Sequence, residues 1–226
     1  MQVKVVSNIL EANEAHAGVN RQRFKNNRVF VLNLMSSPGS GKTSILERTI
    51  DHIKGLLRIG VIEGDIYTAK DAERIGEKGV PVVQINTKGA CHLDANMIAC
   101  ALAELPLDQL DLLVIENIGN LVCPAEFDLG EDIKAMVLSV TEGNDKPLKY
   151  PLMFREAKAL LVNKMDLISF TDFDLDLMEK DIRGINPDGK IFLMSAKTGE
   201  GFEAWCRWLY HQVQAKKEKS SVTASG

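Results

Sequence analysis

One short segment constrains the fold of this chain more than any other: residues 36–43 read Ser-Ser-Pro-Gly-Ser-Gly-Lys-Thr. An apolar run precedes the segment and a helical pattern follows it, which is the order of a phosphate-binding loop. Gly39 and Gly41 let backbone N–H groups turn towards a phosphate at a helix N-terminus, where the helix dipole favours negative charge. Because Ser36 replaces the first consensus glycine, a Gly/Ser turn before an ordinary helix is the alternative.

This loop and the first helical residues are the candidate phosphate-binding residues. We predict that the Lys42 ammonium lies between the β- and γ-phosphates and that the Thr43 hydroxyl is a ligand of Mg²⁺. The residues expected to surround the phosphates are Pro38, Gly39, Ser40, Gly41, Lys42, Thr43 and Ser44.

From residue 29 onward, short apolar runs rich in β-branched residues alternate with longer helical stretches. This alternation is typical of βαβ units and of a parallel sheet that is covered on both faces. The candidate strands are residues 29–35, 58–63, 82–86, 111–116, 135–140, 159–163 and 190–194. We therefore predict an α/β, three-layer P-loop NTPase fold with a mostly parallel sheet of roughly seven strands.

The two ends of the chain differ from this alternation. Residues 5–26 place apolar side chains at helical spacing, so we predict an N-terminal helical extension over residues 1–27. The P-loop domain, with its metal site, is expected over residues 28–214. Residues 215–226 are polar except for Val222 and are expected to be a disordered tail.

Charge and composition restrict the classes of partner. The chain has 27 Lys and Arg against 31 Asp and Glu, a net charge of −4, so it lacks the positive excess that holds nucleic acid. Its apolar runs are far shorter than the ~20 residues of a membrane helix, and no secretory signal pattern is visible. The four cysteines are too few for a disulfide scaffold. We expect a soluble, cytoplasmic protein that binds neither nucleic acid nor membranes.

Two later motifs indicate which nucleotide is bound. Residues 163–166, Asn-Lys-Met-Asp, follow the sixth candidate strand and match an N-K-x-D guanine element. Asp166 is expected to accept hydrogen bonds from the guanine N1–H and exocyclic amine, a donor pair that adenine lacks. Asn163 would hold the loop and the base, and the Lys164 stem would stack on the ring. Ser195-Ala196-Lys197 follows the seventh candidate strand and matches the S-A-K element that contacts guanine O6 through its backbone, so GTP is favoured over ATP.

Two carboxylates at strand ends are candidate ligands of Mg²⁺. Glu116 ends the fourth candidate strand, in the place where a Walker-B element usually has Asp, and Asp65 follows the second candidate strand. Mg²⁺ sites usually combine one or two carboxylates with phosphate oxygens, so Thr43, Asp65 and Glu116 form the predicted Mg²⁺ shell. Together with Lys42 they are the candidate catalytic residues. The alternative for Glu116 is a solvated glutamate at the end of a strand.

Two of the cysteines follow strand ends on the face that is expected to hold the nucleotide. Cys91-His92 follows the third candidate strand and Cys123 follows the fourth. Two thiolates and an imidazole suit an ion such as Ni²⁺ or Zn²⁺, and they are one ligand short of a closed tetrahedral zinc shell. Water or a second copy of the chain can supply the fourth. The alternative is that both cysteines are small buried residues; Cys100 and Cys206 are expected to be packing residues.

With these motifs the sequence resembles the HypB family, the nickel-loading GTPases of hydrogenase maturation, which belong to the SIMIBI class. The segments that carry the resemblance are residues 37–43, 63–65, 91–95, 115–130, 141–145, 163–166 and 195–199, of which residues 116–130 are the most specific. The resemblance implies a homodimer with Cys91, His92 and Cys123 around Ni²⁺ or Zn²⁺ at the dimer interface. It also implies that GTP binding and hydrolysis gate Ni²⁺ transfer to a hydrogenase large-subunit precursor, with a HypA-type metallochaperone as partner.

The sequence departs from some members of that family and leaves alternatives open. No cysteine precedes Cys91 and no histidine-rich tract is present, so a separate high-affinity nickel site and a nickel store are not expected. A urease-accessory-type nickel GTPase has the same architecture but matches the Cys-His and Cys-Pro-Ala pairing less well. Residues 163–166 argue against a P-loop kinase. Ser36 alone supports a metal-binding module whose nucleotide site has lost turnover.

Overall fold

Seven strands and nine α-helices are found in the computed structural model, which describes residues 9–66 and 69–222. The strands are β1 Phe30–Ser36, β2 Ile59–Asp65, β3 Val82–Asn86, β4 Leu112–Gly119, β5 Ile133–Ser139, β6 Ala157–Asn163 and β7 Lys190–Leu193. The helices are α1 Ile9–Asn27, α2 Lys42–Ile53, α3 Lys70–Gly76, α4 Ala95–Ala101, α5 Cys123–Glu126, α6 Lys146–Lys149, α7 Pro151–Glu156, α8 Leu175–Ile185 and α9 Phe202–Val222.

The strands form a single sheet in the order β3-β2-β4-β1-β5-β6-β7, and all neighbouring strands run parallel. β1 lies between β4 and β5, so the loop that follows it leaves the middle of the sheet. The strands that follow β1 in the chain lie partly on one side of it and partly on the other. Ligands of open α/β sheets bind in the crevice at such a point. The predicted α/β fold with a parallel seven-stranded sheet is confirmed.

Helices cover both faces of the sheet and bury the apolar strand residues. On one face, Ile45 and Ile50 of α2 and Trp205 and Leu209 of α9 pack against the central strands. On the other face, one apolar cluster involves α1 and α4, and a second involves α7 and α8. Every residue of β1 is buried, as expected for a central strand covered on both faces. Within residues 9–66 and 69–222, the helices are too short or too polar to cross a lipid bilayer.

The two ends of the chain differ from their predicted boundaries. Helix α1 occupies Ile9–Asn27, and residues 5–8 of the predicted helix lie outside the described residues. At the other end the predicted disordered tail is wrong over residues 215–222, because α9 continues to Val222. Ionic contacts hold this polar turn: Lys216 Nζ lies 2.6 Å from Asp132 Oδ2, and Lys217 Nζ lies 2.6 Å from Asp111 Oδ1. Residues 223–226 lie outside the described part of the chain.

Candidate functional site

The loop between β1 and α2 has the backbone and side-chain contacts of a phosphate-binding loop. Gly41 has a φ of 98°, and a Cβ at this position would lie 2.5 Å from Asn163 Nδ2, so both backbone and space require glycine. Lys42 Nζ donates to Ser36 Oγ at 2.9 Å, and Ser36 Oγ donates to the Ser37 carbonyl at 2.6 Å. The serine in place of the consensus glycine therefore fits the loop and holds the lysine ammonium beside it.

A cavity of about 400 Å³ opens over this loop and the carboxyl ends of β2 and β4. Most of the predicted phosphate- and Mg²⁺-binding residues line it, namely Pro38, Gly39, Gly41, Lys42, Thr43, Ser44, Asp65 and Glu116. Gly119 lies at its edge, and a Cβ there would come within 3.0 Å of the Pro38 backbone, so this glycine allows β4 to approach the loop.

The predicted Mg²⁺ ligands lie together at the floor of the cavity. Thr43 Oγ1 donates to Glu116 Oε1 at 2.8 Å, and Asp65 lines the same cavity. Glu116 Oε2 and Glu63 Oε2 are buried and have no hydrogen-bond partner. Buried carboxylate oxygens without partners are costly, and an oxygen-seeking dication such as Mg²⁺ would satisfy them. The donor set therefore fits Mg²⁺.

Glu63 is a site residue that the sequence analysis did not assign. It is 2% exposed and lies opposite Glu116 in the β2–β4 register. Burial and the neighbouring Glu116 carboxyl raise the pKa of Glu63 to about 11, and burial also raises the pKa of Glu116. The raised pKa favours the protonated form of Glu63 beside the Glu116 carboxyl. The spacing of two between Glu63 and Asp65 places both side chains on one face of β2, which is the sequence signal that marks Glu63.

Asn163 and Lys164 connect the end of β6 to the phosphate-binding loop. Asn163 Nδ2 donates to the Ser40 carbonyl at 2.9 Å, and Lys164 Nζ donates to the Gly39 carbonyl at 2.8 Å. Asn163 Oδ1 also accepts from the Ala196 N–H at 3.0 Å. These contacts bring the N-K-x-D and S-A-K motifs beside one another and against the loop.

Asp166 faces a second cavity that adjoins the first. Ser195 Oγ donates to Asp166 Oδ1 at 2.6 Å, which joins the two predicted guanine motifs directly. The cavity has a volume of about 290 Å³ and is lined by Gly41, Ser44, Asn163, Lys164, Asp166, Leu167, Ala196 and Lys197. Arg48 of α2 donates to the Ala196 carbonyl, and to the Lys197 carbonyl at 2.7 Å. The phosphate-binding helix therefore supports the loop that would contact the base.

The predicted metal ligands also come together. The Sγ atoms of Cys91 and Cys123 lie 3.0 Å apart, and one ligand atom from each of Cys91, His92 and Cys123 lies within 4.8 Å of the others. The His92 ring stacks on Phe127 with centroids 3.8 Å apart, and Asn120 Nδ2 lies 3.6 Å from Cys123 Sγ. The hydrogen bond that Cys123 shares with Cys91 raises the pKa of Cys123, and burial lowers the pKa of His92, which favours a neutral imidazole. The three side chains can bind one transition ion with at least one position open.

The remaining two cysteines lie outside this group. Cys206 is buried beside Trp205, as predicted for a packing residue, and burial raises its pKa to about 12. Cys100 differs from its prediction as a packing residue because its side chain on α4 is exposed. Its position on the solvent side of a short helix makes it a control for experiments on the metal site.

Comparisons with known proteins give the family. The family model described as "CobW/HypB/UreG, nucleotide-binding domain" matches residues 30–193. The hydrogenase maturation factor HypB of Escherichia coli (strain K12) is 50% identical over 210 residues, which cover 93% of this chain and 72% of that protein. The probable hydrogenase maturation factor HypB of Methanocaldococcus jannaschii is 41% identical, with 94% of this chain and 96% of that protein covered.

Solved structures agree with the sequence comparisons. The crystal structure of HypB from Helicobacter pylori in complex with nickel has a TM-score of 0.86 and 40% identity, covering 90% of this chain and 96% of that one. HypB from Archaeoglobus fulgidus has a TM-score of 0.85 and 40% identity, covering 90% of this chain and 100% of that one. The chain thus belongs to the HypB family of hydrogenase maturation factors, within the CobW/HypB/UreG group of P-loop GTPases.

Proposed function

We propose that this protein is a GTP-hydrolysing metallochaperone that binds nickel and assists its insertion into a [NiFe]-hydrogenase precursor. The observation that carries the proposal is the group formed by Cys91, His92 and Cys123 at the same edge of the sheet as the P-loop cavity. The relative from Helicobacter pylori whose crystal structure is in complex with nickel supports Ni²⁺ as the cargo. Zn²⁺ suits the same ligands and can occupy the same site.

The nucleotide half of the proposal follows from the two adjoining cavities. Asp166 selects guanine, and the backbone of the loop between β1 and α2 binds the phosphates. Lys42 stabilises the negative charge that develops on the transferred phosphoryl group. Thr43, Asp65 and Glu116 hold Mg²⁺, which neutralises charge on the phosphates when it is bound.

The metal half of the proposal concerns an open ligand set. Three protein ligands leave at least one position for an incoming or outgoing group. In a homodimer the corresponding residues of a second copy can supply that group, so GTP-dependent dimerisation gates metal binding. A HypA-type nickel metallochaperone and the hydrogenase large-subunit precursor are the proposed partners in transfer.

A second recipient has a specific observation in its favour. The relative from Helicobacter pylori is named a "Hydrogenase/urease maturation factor HypB" and is 40% identical over 99% of this chain. A urease precursor is therefore the alternative recipient. The other alternative is a nucleotide-binding metal module without turnover. Phosphate release from GTP excludes this alternative, and the absence of release favours it.

The test combines metal binding with nucleotide hydrolysis in matched cysteine variants. Calorimetric titration of Ni²⁺ is expected to show binding to the wild type and to Cys100→Ala, and strongly weakened binding to Cys123→Ala, because Cys123 belongs to the ligand group and Cys100 does not. Phosphate release from GTP is expected to exceed release from ATP. Equal Ni²⁺ binding by both variants, or no release from GTP with Ni²⁺ and Mg²⁺ present, would contradict the proposal.

A further inference from the structure

A buried asparagine connects the strand of the Mg²⁺ site to the loop of the metal site. Asn117 directly follows Glu116 on β4 and is 1% exposed. Its Oδ1 accepts from the Leu93 N–H at 3.2 Å and from the Ile118 N–H at 2.9 Å. Because Leu93 is the next residue after Cys91-His92, this amide fixes the ligand-bearing loop to β4.

The Nδ2 group of Asn117 is hydrogen-bonded to a buried side chain of the core. Asn117 Nδ2 donates to Asn33 Oδ1 at 3.2 Å, and Asn33 Nδ2 donates to Glu131 Oε1 at 3.1 Å. Glu131 Oε2 then accepts from the Leu129 N–H at 2.7 Å. A buried polar network with its groups satisfied behaves as one rigid unit.

Packing around Leu93 leaves the loop little freedom to slide. Leu93 is fully buried, and a Cβ on Gly64 would lie 2.8 Å from Leu93 Cδ1 and 3.1 Å from the Glu116 carbonyl. Phe127, whose ring stacks on His92, lies two residues before Leu129, and the Leu129 N–H donates to Glu131. The ligand loop is therefore in contact with the strands of the Mg²⁺ site through both hydrogen bonds and apolar packing.

We propose that Asn117 is the positioning residue that couples the nucleotide site to the metal site. The proposal rests on the function proposed above, in which nucleotide state gates metal binding. Glu116 and Asn117 are consecutive, so a movement of Glu116 on nucleotide exchange also moves the amide that holds the loop of Cys91-His92. Cys123 follows Asn117 on the same chain segment. A displacement of Glu116 and Asn117 therefore reaches both Cys91-His92 and Cys123.

The test measures the coupling itself in the full chain. Ni²⁺ affinity is determined by competition with a colorimetric chelator, first with Mg²⁺ and GDP and then with Mg²⁺ and a non-hydrolysable GTP analogue. We expect the two dissociation constants of the wild type to differ by about 5- to 150-fold, the usual range of coupling between sites. In Asn117→Ala, which loses all three hydrogen bonds, we expect the ratio to fall to within about twofold of one.

Two further variants separate coupling from stability. Asn117→Asp keeps the Oδ1 atom that accepts from both backbone N–H groups and is expected to retain more of the ratio than Asn117→Ala. Asn186→Ala removes an amide that donates to the Phe154 and Ala157 carbonyls at the opposite end of β6, and it should keep the wild-type ratio. Hydrogen exchange at the Leu93 amide should be faster in Asn117→Ala than in the wild type.

The outcomes distinguish this proposal from the function on which it rests. A wild-type ratio near one would overturn both the gating and the role of Asn117. If Asn117→Ala keeps the wild-type ratio of Ni²⁺ dissociation constants, the role of Asn117 is overturned while the gating stands. The same conclusion follows if Asn186→Ala loses as much of the ratio as Asn117→Ala does.

Discussion

The substitution Asp166→Asn tests the assignment of the guanine site. Asp166 Oδ1 already accepts from Ser195 Oγ at 2.6 Å, and its remaining acceptor capacity faces the cavity of about 290 Å³ beside the P-loop. In that cavity the carboxylate can accept from both the N1–H and the exocyclic amine of guanine. The neutral asparagine makes no charge-assisted hydrogen bond to the base, and its N–H₂ group faces the exocyclic amine, so one donor faces another.

The magnitude follows from the number of charge-assisted hydrogen bonds. Each is worth about 1.5–3 kcal/mol, so the loss of two weakens GDP binding by about 3–6 kcal/mol. This corresponds to a dissociation constant that is about 10² to 10⁴ times larger. Xanthine has a carbonyl in place of the amine, so xanthosine diphosphate should bind Asp166→Asn more tightly than GDP does.

The assay is calorimetric titration of GDP and xanthosine diphosphate into the wild type and the variant. Because the Ser195 hydroxyl can also donate to an amide oxygen, the variant should keep its melting temperature, which serves as the control for folding. A folded Asp166→Asn that binds GDP within about threefold of the wild type would show that Asp166 does not contact the base.

Three further predictions concern the loop that supports the base, the fold and its pH dependence. Arg48→Ala should weaken GDP binding but leave the Mg²⁺ requirement unchanged, because the Arg48 guanidinium donates to the Ala196 and Lys197 carbonyls of the S-A-K segment. Arg48→Lys should recover part of the loss, and equal affinities of all three proteins in fluorescence titration would refute this role. Trp205→Ala should lower the free energy of unfolding in urea by about 3–5 kcal/mol, since the indole is 1% exposed and donates to Thr49 Oγ1 at 3.0 Å; a loss below about 1 kcal/mol would contradict this packing. Burial acts to raise the pKa of Asp111, but hydrogen bonds from Arg58 and Lys217 outweigh it and hold the pKa well below its usual range. The folded state therefore favours the ionised carboxylate, and its contribution of about 2–3 kcal/mol should be present above about pH 4 and be lost as the pH falls further. Asp111→Asn should thus destabilise the protein most at pH 7 and progressively less as the pH falls below about 4, and an equal effect at pH 7 and pH 2 would be inconsistent with the ion pairs.

The sheet could be predicted from the sequence because its strands are buried on both faces. The seven apolar runs stand out between polar helical stretches, and each predicted strand agrees with an observed one to within a few residues. Strand order, by contrast, depends on long-range pairing that a single sequence does not display. The extension of α9 to Val222 was missed because the contacts that hold it, from Lys216 and Lys217, join charged residues far apart in the chain.

The site was predictable where a short motif carries its chemistry. The P-loop, the N-K-x-D segment and the Cys-His pair each have a characteristic spacing, and parallel strands bring their carboxyl ends to one edge. Glu63 and Asn117 lie within the segments that carry the family resemblance, residues 63–65 and 115–130, but their residue types alone do not assign either of them a role. Their importance comes from burial beside Glu116 and from partners supplied by other elements.

The central claim, that nucleotide state gates metal handling through the Cys91-His92-Cys123 group, is tested most directly by light scattering after gel filtration. The wild type, Cys123→Ala and Cys100→Ala are each run with GDP or a non-hydrolysable GTP analogue, with and without Ni²⁺. The account predicts a shift from monomer to dimer that requires both the GTP analogue and Ni²⁺, is lost in Cys123→Ala and is kept in Cys100→Ala. A wild-type mass that is the same under all four conditions, or a shift that persists in Cys123→Ala, would contradict it.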